Sequence, residues 1–308
     1  MKKFISTLIF VVSVCVSVFA QEELFKVLIN KGKNVVDHGK PIFTGSKIFK
    51  GQIITLTTGG YIGLIYKNGR SMELKVPGDY PVDKLEMNAL ASSGSLSKKY
   101  ADLVVNEMTK TSEGITEDRK KNMKVTGSVE RGGEDAIIMV LPRNTDLLGS
   151  QMNIKWLSDR SSKSGYIVKI KDMFDEPLKT YTTEDTTLSV TIADLNLKAP
   201  NKSFIVSVEP KVAKAKSSAP EGKLIKVLEG KKAEDLHKEL KMVKEEAGDE
   251  SALSKVILAT FCEQNKLIVE AIYYYEQAMQ LEPNVEEYRF AYENFLARND
   301  IFLISGKK

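Results

Sequence analysis

The segment AIYYYEQAMQLEP (271–283) decides how the C-terminal part of this chain folds. Ala271, Tyr275 and Ala278 recur at helical spacing and Pro283 stops the pattern, so the segment predicts one helix. The two alanines are small enough for a second helix to approach closely, and Tyr275 is predicted to fill the space between the helices. Tyr275 is therefore a predicted core residue.

The two tyrosines before Tyr275 have two interpretations. They either pack between repeats or form an exposed aromatic contact with another protein, since tyrosine is favoured at protein interfaces. One of them is predicted to meet the next helix at one of its aromatic residues, which are Tyr288, Phe290, Tyr292 and Phe295. The candidate protein-contact residues are Tyr273, Tyr274, Tyr288 and Tyr292.

Helical periodicity extends over residues 229–303, which are predicted to form a helical domain of four helices. Gly248-Asp249, Gln264-Asn265 and Pro283 separate these helices. Across 252–285 the spacing resembles a tetratricopeptide repeat, a helix-turn-helix unit of about 34 residues. The residues that carry the resemblance are Leu258, Ala259, Cys262, Ala271, Tyr275, Ala278 and Pro283.

The tetratricopeptide resemblance implies a protein-binding tail. Lys255 stands where the family has tryptophan, and Cys262 stands where it has tyrosine. About three repeats are needed for a free-standing groove, and only one matches well here. The resemblance therefore implies completion by another protein or by self-association of two copies through the helical tail.

Residues 1–20 have the pattern of a secretory signal peptide. Lys2 and Lys3 precede an apolar run, and Val18-Phe19-Ala20 provides a small residue before the cut. The alternative is an uncleaved anchor, but the run is short for a membrane span and contains serine and threonine. Cys15 does not follow a lipobox residue. The mature chain is expected to begin at Gln21, exported to the periplasmic or outer side of the envelope, with no transmembrane segment.

The balance of charge excludes one class of partner. The full chain has a net charge of +4, and removal of Lys2 and Lys3 leaves a weakly basic protein without a basic stripe. Such a balance does not predict binding to nucleic acid. Cys262 is the one cysteine left after processing, so no intramolecular disulfide is expected.

Residues 24–86 alternate apolar and polar positions, which predicts an antiparallel β domain. Ile62, Leu64 and Tyr66 share one face, and Asn68-Gly69 predicts a type I′ hairpin turn. The stretch GSKIFKGQIITLTTGGYIGLIYKNGRSMELKVPGDYPV resembles the FecR-type β domain of bacterial envelope proteins, although Gly51-Gln52 replaces the family's Gly-Asp. The resemblance implies a protein-contacting or wall-side module in the envelope.

The middle of the chain is predicted to hold a bridging helix with a linker and then a second β domain. The helix and linker occupy 95–125, the β domain occupies 126–210, and a Lys, Ala and Ser-rich linker follows over 211–228. Six short apolar runs and Trp156, a predicted core residue, indicate a β-sandwich. Their order resembles a fibronectin type III or Ig-like module, which implies a spacer or binding domain.

The inventory of reactive side chains disfavours catalysis. His38 and His237 are the two histidines, and no catalytic, metal-ligating or cofactor-binding motif occurs. Asp172, Asp175 and Glu176 lack the spacing of a calcium loop and are predicted to lie in a solvated turn. No enzyme activity, metal or cofactor is expected. A glycosidase would need only two acids at the right separation, which motifs alone do not test.

The predicted fold class is multi-domain β then α: a small antiparallel β domain, a β-sandwich and a C-terminal helical repeat. The favoured function is a non-enzymatic envelope scaffold or adaptor that binds another envelope protein through its helical repeat and β domains. An alternative is a carbohydrate- or peptidoglycan-binding protein with Tyr61, Tyr66 and Tyr80 as stacking rings. A third hypothesis is a FecR-like sensing or regulatory role.

Overall fold

A computed structural model describes residues 21–90, 96–111, 137–157, 165–198, 202–212, 221–248 and 251–301. The β strands all precede a C-terminal region of four helices, so the predicted order of β domains followed by a helical region is confirmed. The predicted signal peptide (1–20) and the predicted linker that follows the bridging helix (112–125) lie outside the described residues. Within the described ranges, no helix combines the length and the apolar character that a membrane crossing requires.

The first β unit is built from eight short strands in two four-stranded sheets. The strands are β1 (Glu23–Lys31), β2 (Val35–Val36), β3 (Lys40–Pro41), β4 (Lys47–Phe49), β5 (Ile53–Leu56), β6 (Tyr61–Tyr66), β7 (Ser71–Leu74) and β8 (Gly78–Pro81). The sheet orders are β4-β1-β6-β7 and β3-β2-β5-β8, with antiparallel neighbours throughout. Helix α1 (Val82–Ala89) follows and buries Val82 and Leu85 in the core that both sheets share.

Strand β6 is buried on both faces. Ile62, Leu64 and Tyr66 lie in the core of the first β unit, as their alternation predicts. Tyr61 and Ile65 alternate with them and lie in the second core, which includes the helices. The first β unit therefore presents an apolar face to the helical region.

The hairpin between β6 and β7 differs from the prediction. The amide of Gly69 donates to the carbonyl of Tyr66 (2.8 Å), and the amide of Tyr66 donates to the carbonyl of Arg70 (2.9 Å). Of the two residues Asn68 and Gly69, only Gly69 has a positive φ (94°), so the turn is not type I′. A Cβ at Gly69 would lie 2.4 Å from Lys98 Cα, so this glycine also allows the next helix to pack closely.

The second β unit has sheets of five and three strands, in the orders β10-β16-β15-β12-β13 and β14-β11-β9. Trp156 is buried at its centre, as predicted, with its ring edge-on to Tyr166 at a centroid distance of 5.4 Å. The strands are β9 (Ile138–Met139), β10 (Asn144–Leu147), β11 (Gln151–Leu157), β12 (Tyr166–Lys171), β13 (Pro177–Thr183), β14 (Thr187–Thr191), β15 (Ser203–Pro210) and β16 (Lys223–Val227). A short 3-10 helix spans Ile192–Leu195.

The prediction of a linker over 211–228 is wrong at its C-terminal end, because strand β16 forms there. Lys223–Val227 pairs antiparallel with β15 and parallel with β10, and Ile225 is fully buried. Without β16, the backbone groups at the edge of β15 would have no strand partner on that side. The last part of the predicted linker is therefore part of the second β unit.

Five further helices complete the fold. They are α2 (Leu96–Thr111), α3 (Gly230–Ala247), α4 (Ala252–Gln264), α5 (Ile268–Leu281) and α6 (Glu286–Arg298). Helices α3, α4 and α5 end at or next to the three predicted breaks. Helix α2, the predicted bridging helix, packs against α3 and α4 and also touches β1.

Helix α4 is the centre of the helical region. Every residue from Ala252 to Cys262 is buried, and α2, α3 and α5 all pack against this helix. A helix that is enclosed on all sides needs apolar residues around its whole circumference, and ALSKVILATFC largely meets that need. Burial of each large apolar side chain contributes about 1.5–3 kcal/mol, so α4 supplies much of the stability that joins the units.

Candidate protein-binding cleft

Tyr273 and Tyr274, for which the sequence left both packing between repeats and an exposed contact open, lie at the surface of α5. Tyr273 is 48% exposed, Tyr274 is half-buried, and their rings meet edge-on at a centroid distance of 5.4 Å. Tyr275 is buried, as predicted, and its ring contacts Tyr292 and Phe295 of α6 at 5.9 and 4.8 Å. The ring contacts that join α5 to α6 thus involve Tyr275, where the sequence assigned that role to a neighbouring tyrosine.

The prediction that Tyr288 and Tyr292 form a protein-contact surface is wrong. Tyr288 is fully buried and Tyr292 is nearly so. The hydroxyl of Tyr288 is hydrogen-bonded to the hydroxyl of Tyr61 (2.6 Å) and donates to Glu73 Oε1 (3.2 Å). The reason is that Tyr61 of β6 and Glu73 of β7 contact Tyr288, while Tyr292 packs against Tyr275 of α5.

The prediction of an exposed sheet face with three stacking tyrosines is also wrong. Tyr61 is buried against the helices, and Tyr66 is buried between the sheets, where its hydroxyl donates to Glu86 Oε1 (3.1 Å). Tyr80 is half-buried, and its hydroxyl donates to the carbonyl of Val76 (2.5 Å). The rings lie in different surroundings, so they do not form one platform for a sugar.

A cleft of about 410 Å³ lies between α2, α4, α6 and the first β unit. Its residues come from five parts of the chain that the sequence separates widely. They are Leu28, Thr44, Leu103, Val104, Glu107, Met108, Val256, Thr260, Glu263, Gln264, Tyr275, Glu287, Phe290, Ala291, Asn294 and Arg298. We call this feature the helix cleft.

The buried lining of the helix cleft is mainly apolar. Leu28, Val104, Val256 and Tyr275 line the cleft and are each buried. Phe290 and Leu103 add half-buried apolar surface from α6 and α2. An apolar side chain placed here would lose its contact with water, which is favourable at about 25 cal/mol per Å² of buried area.

The polar residues of the helix cleft tie three helices together. Arg298 of α6 donates to both carboxylate oxygens of Glu263 on α4 (3.1 and 2.9 Å) and to Glu107 on α2 (2.8 Å). A two-pronged contact of this kind fixes geometry as well as adding energy. The walls of the cleft are therefore held at a fixed spacing.

The surroundings of Arg298 keep its guanidinium charged, and those of Tyr275 keep its phenol neutral. Burial opposes the positive charge of Arg298, but the hydrogen bonds that it donates to Glu263 and the negative charges of Glu263 and Glu107 together outweigh burial, and the pKa of Arg298 is raised. Burial raises the pKa of Tyr275, so its phenol stays neutral. The cleft presents three carboxylates, of Glu107, Glu263 and Glu287, against one guanidinium.

The residues that the structure describes contain no cluster of three or more His, Cys, Asp or Glu side chains that could hold a metal ion. Cys262 is buried, and burial raises the pKa of its thiol, which keeps it protonated and unreactive.

No local sequence pattern predicts the helix cleft. Arg298 meets Glu263 and Glu107 only because three helices end on the same side of the molecule, and helix order along the chain does not specify that. The available signal was the half-apolar, half-charged face of α6, which includes Phe290 and Glu287.

Comparison with known proteins gives little guidance. No family model and no curated protein matches the chain. A solved structure described as "Biofilm associated protein - BSP domain" is similar with a TM-score of 0.22 and 13% identity. The match covers 30% of this chain and 15% of that chain, so this chain spans a small fraction of that protein's length. The FecR, fibronectin type III and tetratricopeptide resemblances stay predictions.

Proposed function

We infer that this chain is an exported, non-enzymatic adaptor that holds a segment of another envelope protein in the helix cleft. The observation that carries this proposal is the cleft itself, with a buried apolar lining and walls fixed by Arg298. The walls of a rigid groove between helices are already ordered, so binding of a partner there costs little conformational entropy of the groove.

The charges around the cleft indicate the chemistry of the partner. The carboxylates of Glu107 and Glu287 border the apolar lining, and Glu107 keeps about half of its side chain exposed (49%). Opposite charges at the edge of an interface speed association and favour the correct partner. The proposed occupant is a protein segment that carries large apolar side chains next to lysine or arginine.

The two β units support an adaptor role as rigid spacers. The second unit has two sheets, and the fibronectin type III or Ig-like resemblance of its sequence, which stays a prediction, would imply a spacer or binding domain. Tyr61 and Tyr66 are buried, so they and Tyr80 do not offer a stacking surface for a carbohydrate.

Site-specific crosslinking in the producing cells tests the binding proposal. Deletion of residues 224–308 is not a clean test, because it would remove most of β16 together with the central helix α4. We would instead introduce the photoreactive residue p-benzoylphenylalanine at Phe290, identify the crosslinked protein and peptide, and measure the affinity of the purified partner for the mature chain.

The proposal predicts a crosslinked peptide with apolar and basic residues. Phe290→Ala should weaken binding by tenfold or more, and Glu287→Gln should weaken it several-fold at low salt and less at high salt. Tyr273→Ala is the matched control, since it removes an exposed aromatic ring from the neighbouring helix. Equal loss in the Tyr273→Ala and Phe290→Ala proteins, or full affinity in the Phe290→Ala protein, would show that the cleft is not the binding site.

Export is a separate part of the proposal with its own test. The first strand starts at Glu23, three residues beyond the proposed cleavage after Ala20, so removal of the signal peptide would leave β1 intact. N-terminal sequencing of the protein from the envelope fraction should begin at Gln21. A protein that retains Met1 would contradict this part.

A further inference from the structure

The hairpin between β12 and β13 exposes two large apolar side chains at its tip. Phe174 is 87% exposed and Met173 is 48% exposed. We call these two residues the hairpin tip. The core residues of the second β unit are supplied by the strands, so the fold itself has no use for a phenylalanine in this position.

The backbone of the hairpin is fixed by its own hydrogen bonds. Asp172 Oδ1 accepts from the amides of Phe174 (2.8 Å) and Glu176 (3.0 Å), and the amide of Asp172 donates to the carbonyl of Glu176 (2.9 Å). Lys171 Nζ lies 2.8 Å from Asp175 Oδ1. The turn therefore presents Met173 and Phe174 from a defined backbone, and binding through them would cost little loop ordering.

The hairpin tip and the helix cleft lie on different parts of the molecule. Strand β13 is the edge strand of the five-stranded sheet, at the opposite edge from β10, which packs against helix α5. A partner bound at the tip would thus meet a different part of the molecule from a partner bound between the helices.

The flanking charges distinguish between a protein partner and a lipid surface. Asp172, Asp175 and Glu176 surround the tip, with Lys171 as the accompanying cation. Anionic membrane surfaces attract basic segments and repel acidic ones, so this tip is poorly suited to them. Exposed aromatic and methionine side chains are enriched at the centres of protein interfaces.

We propose that Met173 and Phe174 insert into an apolar pocket on a folded protein, and that lysine or arginine side chains border this pocket. The inference goes beyond the proposed function, because it gives the adaptor a second docking surface on another unit. It does not depend on whether the helix cleft binds a partner.

The test uses the full mature chain with p-benzoylphenylalanine at position 174 in the producing cells. The same photoreactive residue at Val76 is the control, because Val76 is 69% exposed on the first β unit and lies away from both surfaces. The crosslinked peptide is identified, and the purified partner is titrated against the wild-type, Phe174→Ala and Val76→Ala proteins. Vesicles of phosphatidylcholine, with and without phosphatidylglycerol, are tested in parallel by sedimentation.

The proposal predicts an adduct from position 174 that is absent from position 76, with a crosslinked site beside basic residues. Phe174→Ala should reduce affinity at least tenfold and Val76→Ala less than twofold, while Phe290→Ala should leave binding of this partner unchanged. Vesicle binding that depends on Phe174 would overturn the proposal in favour of a lipid surface. Absence of a specific adduct, or unchanged affinity in the Phe174→Ala protein, would also overturn it.

Discussion

The two β units are joined to the helices in different ways. The first unit buries Leu28 and Ile29 of β1 and Tyr61 and Ile65 of β6 in the core that includes the helices. Glu73 of β7 and Tyr61 are also hydrogen-bonded to Tyr288 of α6. The second unit is held near one sheet edge, where Glu270 Oε1 of α5 accepts from the amides of Leu148 (2.7 Å) and Gly149 (2.9 Å). The first unit therefore works as a wall of the helical core, whereas the second leaves its opposite edge available to a partner.

Glu73 illustrates how closely the first unit and the helices are combined. Its Oε1 accepts from the amide of Leu253 (2.8 Å) in the first turn of α4, and its Oε2 lies 2.8 Å from Lys75 Nζ. Lys75 also pairs with Glu282 at the end of α5. Glu73 thus stabilises the N-terminus of the central helix, and its partner Lys75 contacts the end of α5.

The largest expected effect is that of Phe261→Ala in the middle of α4. Phe261 is fully buried, and its ring lies edge-on to Tyr100 of α2 at 5.2 Å. Loss of the ring should reduce the free energy of unfolding by about 3–5 kcal/mol. Urea titration followed by Trp156 fluorescence and by helical circular dichroism measures this change, and both signals should shift together.

Phe43→Ala is the control for Phe261→Ala, because Phe43 is 65% exposed. Its free energy of unfolding should differ from wild type by about 0.5 kcal/mol or less. If Phe261→Ala affected the helical signal and left the Trp156 signal in place, the second β unit would fold independently of the helices.

A smaller effect is expected for Tyr288→Phe. The change removes a hydroxyl that is bonded to Tyr61 and Glu73, and it leaves their buried polar groups short of a partner. The free energy of unfolding should fall by about 1–3 kcal/mol. Tyr273→Phe removes a hydroxyl from a half-exposed ring and should change stability by less than about 0.5 kcal/mol. Equal values for the two variants would contradict the buried network.

The smallest expected effect is the pH dependence of stability that Glu270 contributes where α5 meets the second β unit. Burial raises the pKa of Glu270 from its usual 4.5, and its Oε2 has no hydrogen-bond partner among the residues that the structure describes. The folded protein therefore holds the Glu270 proton more tightly than the unfolded chain does, so this contribution to stability is present below pH 4.5 and is lost as pH rises through the raised pKa.

Glu270→Gln should remove that dependence while it keeps an oxygen that can accept from Leu148 and Gly149. Measured from pH 4 upward by urea titration, the free energy of unfolding of the Glu270→Gln protein should rise relative to wild type as pH increases. A difference that stays constant with pH would show that Glu270 is not perturbed by its burial.

Much of the fold was predictable because local patterns specify local elements. Pro283 and the Gly248 and Asn265 breaks mark the helix ends, and alternation marks most strands. Strand β6 carried a further signal that the alternation obscured: YIGLIY has no charged residue on either face, which favours a strand buried on both sides. That pattern explains why Tyr61 and Tyr66 are not exposed rings.

The arrangement between units was not predictable from the same patterns. The run ALSKVILATFC looks like one apolar face interrupted by Ser254, Lys255 and Thr260, but all three of these residues are buried. Strand β16 follows a linker-like stretch, and only its pairing with β15 and β10 identifies it. The helix cleft depends on contacts between residues more than 190 positions apart, such as Glu107 and Arg298.

The central claim is that α4 and its neighbours join both β units into one body, which fixes the helix cleft and the hairpin tip relative to each other. Differential scanning calorimetry of the mature chain tests this claim most directly. The account predicts a single thermal transition whose calorimetric and van't Hoff enthalpies agree. Two separate transitions, with Trp156 fluorescence following only one of them, would contradict it.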